Sequence, residues 1–163
     1  MVDPIRKRIV VPCDAETAFR IFAEQTANWW PLAQHSLTAG RTGNPAKSVT
    51  IEQGVGGRIY ETTPEGEELH WGSVKTYEQG KILCFSWHVA EPVENQTEVE
   101  VRFEPLSPAQ TQVTLEHRNW EALGERGEEA RGHYNNGWVR VFEVCFGSAC
   151  GMKSAAEQTT KEQ

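Results

Sequence analysis

Two polar residues stand where chemistry is expected, Glu61 and His117. In Arg58-Ile59-Tyr60-Glu61-Thr62, Glu61 shares the parity of Ile59. In Thr111 to Asn119, His117 continues the parity of Val113 and Leu115. Residues two apart on a strand share a face, so parity points both side chains toward an apolar interior; the alternative readings are that Glu61, at the end of a short strand, reaches solvent and that His117, near the end of its own, is a structural histidine. A carboxylate and an imidazole meeting in a cavity can serve as acid and base, because burial moves either group toward neutrality. Ser73, on the parity of Leu69 and Trp71, and Asn119, beyond His117, are two further polar residues on apolar faces. An unpartnered buried polar group costs about 1–3 kcal/mol, so each of the four needs a protein group, a water or a ligand.

Other chemistries find less support. No Gly-x-Ser-x-Gly elbow, phosphate-binding P-loop or His-Glu-x-x-His is present. Gly54-Val55-Gly56-Gly57 lies between two strand-like runs and reads as a hairpin turn, not a phosphate cradle. His70, Cys84, His88 and His117 match no metal-finger spacing, and parity turns His70 and Cys84 away from the inward face. No metal and no cofactor are predicted. Cys13, Cys84, Cys145 and Cys150 are too few and too scattered for a disulfide scaffold, which makes a reducing cytoplasm the default compartment.

The elements that must position these residues follow from periodicity. Ile5 to Val11 reads as a strand ended by Pro12, and Asp14 precedes a helix in which Ala15, Ala18, Phe19, Phe22 and Ala23 share one face. Trp29-Trp30-Pro31 ends that helical stretch. His35 to Pro45 reads as a loop with room for one helical turn. Ser48–Gln53, Arg58–Thr62, Leu69–Tyr77, Lys81–His88, Thr97–Leu106 and Thr111–Asn119 then read as strands joined by short links, hence as antiparallel neighbours. Tyr134, Trp138, Val141, Phe142 and Cys145 mark one helical face. Val139, Val144 and Phe146 widen it, so this helix is predicted to be buried on more than one side and to stop at Gly147. The class is α+β: a curved antiparallel sheet of six or seven strands, one or two short helices after the first strand, and a long C-terminal helix over the sheet.

The interior so defined is rich in tryptophan, a residue that needs a partner for its N–H when buried. Trp30, Trp71, Trp87, Trp120 and Trp138, with Glu61, Ser73 and His117 as polar points, describe a ligand cavity. Its apolar walls are predicted from Ile59, Phe85, Val101 and Leu115 on the strands and from Tyr134 and Phe142 on the helix. Of 163 residues 38% are hydrophobic, enough for one domain, assigned here to residues 1–150, with 151–163 a polar, disordered tail. The net charge of -7 and the lack of any basic run argue against nucleic acid or an anionic membrane as partner. No signal-like segment or run of about 18 apolar residues occurs.

These pieces together resemble a known group. A strand closed by Val11-Pro12 and a helix over Ala15 to Phe22 are followed by Gly56-Gly57-Arg58-Ile59-Tyr60-Glu61 and Trp71-Gly72-Ser73-Val74. Leu83-Cys84-Phe85-Ser86-Trp87, Thr97-Glu98-Val99, Thr111-Gln112-Val113-Thr114-Leu115-Glu116-His117 and Tyr134-Asn135-Asn136-Gly137-Trp138 complete the series. In order and spacing they resemble the helix-grip superfamily called SRPBCC or START-like, and within it the group named for the activator of Hsp-90 ATPase homologue, over roughly residues 5 to 148. Two departures are visible: Glu78-Gln79-Gly80 lacks the proline the group often has there, and Asn119 stands where it often has glycine, placing an amide near the expected pocket mouth. The resemblance implies a helix-grip fold with an internal cavity. The interior of five tryptophans with few polar points leads to the expectation of a non-enzymatic cytosolic binding protein for a hydrophobic or aromatic small molecule. The alternatives are a cyclase or dehydratase using Glu61 and His117, and a regulator of a chaperone ATPase.

Overall fold

A computed structural model describes residues 2–89 and 91–152 of the chain. Except for residues 151 and 152, the expected tail lies outside the described residues. Seven strands form one curled antiparallel sheet in the order β1-β7-β6-β5-β4-β3-β2. They are β1 (Ile5–Val11), β2 (Ser48–Ile51), β3 (Arg58–Thr62), β4 (Glu68–Glu78), β5 (Ile82–Trp87), β6 (Thr97–Ser107) and β7 (Gln110–Arg118). Three short helices fill the gap between β1 and β2: α1 (Ala15–Glu24), α2 (Thr26–Trp29) and α3 (Leu37–Thr42). After β7 a 3₁₀ stretch (Trp120–Arg126) leads into the long C-terminal helix, built from α4 (Gly127–Trp138), a π-helical stretch (Val139–Phe146) and α5 (Gly147–Ala149). This is the α+β helix-grip architecture expected from the sequence.

Alternation works as predicted on the central strands. Val99, Val101 and Phe103 of β6 and Val113, Leu115 and His117 of β7 are buried, and Val99 pairs with His117 and Val101 with Leu115 across the ladder. These faces pack against Phe19 and Phe22 of α1 and against Phe142 and Phe146 of the long helix, where ring centroids of 5.1–5.2 Å join Phe22 to Phe146 and Phe19 to Phe103. At about 25 cal/mol per Å² of apolar area removed from water, this face is the main source of stability. Edge-to-face contacts between the rings add to it.

Period-two reading fails on β4. Ile59 pairs with Gly72 but Tyr60 pairs with His70, so Trp71 is an extra residue in a β-bulge. Ser73 is thereby carried to the face of its partner Arg58, away from the side where Trp71 is buried, and it is not an inward polar point. The bulge also presses Gly72 against β5, where a Cβ on Gly72 would collide with the backbone carbonyl of Ser86. Gly72→Ala is therefore expected to destabilise the fold by about 1–3 kcal/mol or more, measured as a lower urea midpoint. Wild-type stability in this variant would contradict the bulge.

Three further expectations change. Gly147 does not end the long helix: its φ and ψ are helical, and a side chain there would press on Met152 and Ile9. The stop is Gly151, whose φ of 101° only glycine adopts easily. Val139 and Val144 are exposed at 42% and 46%, so the helix buries one side and not several. Asn119 leaves the strand with φ 73° and sends its amide to the Gln96 carbonyl at 3.2 Å. It is exposed and is not among the residues lining the cleft between sheet and helix. The left-handed backbone explains why glycine suits this position and why asparagine, which tolerates that conformation, can replace it.

Candidate functional site

Where the long helix crosses β4 and β5, the gap is not filled. A cleft of about 210 Å³ is lined by Trp71 of β4, Trp87 and Val89 at the end of β5, and Tyr134, Gly137, Trp138 and Val141 of the helix. Trp30 and the Gln34–Leu37 segment between α2 and α3 close the remaining side. Pro31 forces Trp30 out of the helical conformation (ψ 128°), which turns its ring from α2 toward the cleft. His35 lies over Gly137, where a Cβ would meet its Cε1 at an ordinary contact distance of 3.6 Å. The indoles form one cluster, with centroid separations of 5.2 Å for Trp30–Trp71, 5.4 Å for Trp71–Trp87 and 5.9 Å for Trp87–Trp138.

Of the fourteen residues expected to form the cavity, Trp30, Trp71, Trp87, Tyr134 and Trp138 line this cleft. Ile59, Phe85, Val101, Leu115, Trp120 and Phe142 are buried in the core around it and fill space between sheet and helix. Gln34, His35, Ser36, Leu37, Val89, Gly137 and Val141 were not expected. The first four belong to a segment without periodicity, and only the proline after Trp30 hinted that this stretch turns back over the sheet.

Glu61 and His117 are both fully buried, and neither is a lining residue. Each anchors a tryptophan wall. The Glu61 carboxylate accepts four hydrogen bonds: from Trp71 Nε1 (2.8 Å), from the backbone N–H of Leu37 (2.6 Å) and of Thr38 (2.9 Å), and from Thr38 Oγ1 (2.6 Å). It thus ties β3 to a wall on β4 and to the first turn of α3, where helix N–H groups need acceptors. Ser36 caps the same turn by accepting from Ala39 N at 3.0 Å.

His117 works on the opposite wall. Trp138 Nε1 donates to its Nδ1 at 3.0 Å, so the ring proton sits on Nε2 and is donated to Thr97 Oγ1 at 2.7 Å. Thr97 Oγ1 in turn donates to the Trp87 carbonyl at 3.1 Å. The chain runs from the long helix through β7 and β6 to β5. Trp120 packs against the ring at 4.2 Å, tilted by 39°, and spends its own N–H on the His117 carbonyl (3.0 Å). Desolvation by burial drives the His117 pKa down to about 3, so the ring is neutral near pH 7. With both nitrogens engaged, it has neither a free lone pair nor a free proton for a substrate. The geometry therefore gives His117 the role of a structural histidine and does not build the acid–base pair that was the alternative reading of the sequence.

The cleft itself is uncharged: its lining includes no Asp, Glu, Lys or Arg. Burial, and then Arg140, lowers the His35 pKa. Burial raises the Tyr134 hydroxyl above the ordinary phenol value, with the nearby Trp87 N–H acting in the other direction. That N–H and the hydroxyl are close but do not meet in hydrogen-bond geometry, and Trp87 Nε1 is the one buried side-chain polar atom without a partner among the described residues. Leaving such a donor unmatched costs about 1–3 kcal/mol. No group of three or more His, Cys, Asp or Glu able to hold a metal occurs among the described residues, and no helix there is long and apolar enough to cross a membrane.

Comparison with known proteins agrees with this architecture. Solved structures similar over nearly the whole chain include an Aha1 dimer from Colwellia psychrerythraea (19% identity, 93% of this chain and 98% of that one, TM-score 0.65). They also include the self-sacrificing resistance protein CalC from Micromonospora echinospora (22%, 93% and 96%, TM-score 0.64) and an anthrahydroquino-γ-pyrone synthase (23%, 91% and 97%, TM-score 0.61). At these identities they share the fold. No curated protein matches. The model of one family, described as activator of Hsp90 ATPase homolog 1-like protein, matches residues 12–144, and the chain belongs to that family.

Proposed function

We propose that this chain binds an apolar, aromatic small molecule in the tryptophan cleft. The observation that carries the reading is the cleft's construction: four indoles and a phenol around about 210 Å³, with the Trp71 and Trp138 walls pinned from behind by Glu61 and His117. Aromatic walls with a few polar points are the usual make-up of a small-molecule site, and pinned walls reduce the ordering cost of binding. The volume lies below the roughly 300–1,000 Å³ of pockets for drug-sized ligands, which favours a small occupant.

Two of the similar structures are described as a synthase and as a resistance protein. An enzyme of cyclase or dehydratase type would need its acid and base at the cleft. Glu61 and His117 are spent on the walls, so binding without catalysis is the better-supported reading. It is also better supported than regulation of a chaperone ATPase, for which the family's name is the ground.

Titration with naphthalene derivatives, followed by tryptophan fluorescence and by native mass spectrometry, tests the proposal. Saturable quenching with one molecule bound per chain is expected, and Trp30→Ala, which removes a half-buried wall, should weaken binding by about tenfold or more. Absence of saturable binding, or affinity unchanged in Trp30→Ala, would count against the cleft as the site.

A further inference from the structure

Resting on that reading, we infer that the natural occupant is an uncharged aromatic molecule of one or two rings whose hydrogen-bond acceptor is held by the indole N–H of Trp87. The six tryptophans divide sharply. Five indole N–H groups are matched: Trp29 to the Ile21 carbonyl, Trp30 to the His35 carbonyl, Trp71 to Glu61, Trp120 to the His117 carbonyl and Trp138 to His117 Nδ1. Trp87, only 5% exposed and part of the cleft wall, has none among the described residues.

Its neighbours do not supply an acceptor in hydrogen-bond geometry. The neighbouring walls are indoles, which only donate, and their N–H groups are fixed elsewhere. The Tyr134 hydroxyl lies beside Trp87 Nε1 without closing a hydrogen bond, and it offers a second polar contact on the same side of the cleft. A ligand oxygen placed between the two would satisfy the buried N–H.

The charge of the ligand follows from the lining. No Asp, Glu, Lys or Arg lines the cleft, and the basic side chain that does, His35, is held toward its neutral form by burial and by Arg140; a charge taken from water into such a site without a partner is strongly disfavoured. Its size follows from the volume of about 210 Å³, and its flatness from rings on both sheet and helix. The chemical class is an aromatic ketone, quinone, lactone or aryl ether, and not a carboxylate or an amine.

Three probes of one shape separate the elements of this claim. Acetylnaphthalene carries the acceptor, isopropenylnaphthalene replaces C=O by C=CH₂, and naphthoate adds a charge. The ketone is expected to bind the wild-type chain about tenfold more tightly than the alkene, the difference of one hydrogen bond, and naphthoate more weakly than the ketone by at least as much. In ¹⁵N-labelled protein the Trp87 indole resonance should move downfield with the ketone and not with the alkene. Trp87→Phe keeps a ring and removes the donor, and should bring the ketone-to-alkene ratio close to one. If the alkene binds as tightly as the ketone and the Trp87 resonance behaves alike with both, the cleft still binds aromatics but this inference is overturned. A ratio unchanged in Trp87→Phe, or naphthoate binding as well as the ketone, overturns it too. Failure of all three probes to bind removes both readings. Should Trp87→Phe not fold, the wild-type ratio and the resonance shift decide the matter.

Discussion

Glu61→Ala is expected to lower the unfolding free energy by about 3–5 kcal/mol, the range for removing one member of a buried, charged hydrogen-bonded set. The carboxylate is fully buried and receives four donors at 2.6–2.9 Å. Its loss strands the Trp71 indole N–H in the core and frees the first turn of α3 from β3. The effect should be larger than that of an ordinary cavity of similar size, because donors are left unmatched as well as space unfilled. Glu61→Gln keeps the volume and one carbonyl oxygen but turns an NH₂ toward groups that themselves donate, so it should fall between wild type and alanine. Chemical denaturation of the three proteins measures the series. An alanine variant within about 1 kcal/mol of wild type would show that the network contributes little. The same series separates the two readings of Glu61. As a wall anchor, its replacement weakens aromatic binding in step with stability. As a catalytic acid, its replacement by glutamine would abolish turnover while leaving both nearly intact.

Much of this arrangement could be read from the chain alone. Alternation in Thr97 to Phe103 and Thr111 to His117 reports a sheet buried on one face, because each residue's environment there depends only on its parity. The same logic finds Glu61 and His117 as polar residues on apolar faces. What they bond to is another matter: their partners, Thr38 and Trp71 for one and Thr97 and Trp138 for the other, come from distant parts of the chain. Parity says that a buried polar group needs a partner, not whether that partner is a ligand or an indole. Ser73 is misplaced because one inserted residue at Trp71 reverses the faces that follow it, until a second irregularity between Val74 and Thr76 turns Tyr77 inward again. The Gln34–Leu37 wall is invisible because an irregular segment has no period to read. Trp87 illustrates the limit best: its burial is legible in Leu83-Cys84-Phe85-Ser86-Trp87, but that its N–H, unlike five others, finds no acceptor among the described residues is a property of packed geometry.

Stability is expected to fall steeply as pH drops below about 6.5, and His117 should carry much of that loss. Its ordinary value of 6.5 applies to the unfolded chain, whereas burial brings the folded value to about 3. Between these limits the unfolded state holds a proton that the folded state refuses, so acid favours unfolding by about 1.4 kcal/mol per pH unit. The contribution is fully present above pH 6.5, is reduced by about 3 kcal/mol at pH 4.5, and is lost once the pH passes below the folded value. The window from 6.5 to 4.5 is the informative one. Below it, Glu52, Glu91 and Glu98, whose pKa values lie below the ordinary carboxylate value, begin to lose their own stabilising contacts with arginine and lysine partners. His35 and His88 are also shifted down by burial and act in the same direction, so a variant has to isolate the share of His117. His117→Asn retains an oxygen for the Trp138 N–H but does not titrate. It should be less stable than wild type at pH 7.5, because the link to Thr97 is broken, yet lose stability more slowly on acidification, so that the two urea-unfolding curves converge toward pH 4.5. Parallel curves would mean that the buried imidazole is not the acid-sensitive group. Convergence would also tie the cleft to pH, since a proton on Nδ1 of His117 displaces the Trp138 N–H that holds the wall in place, and aromatic binding should weaken over the same interval.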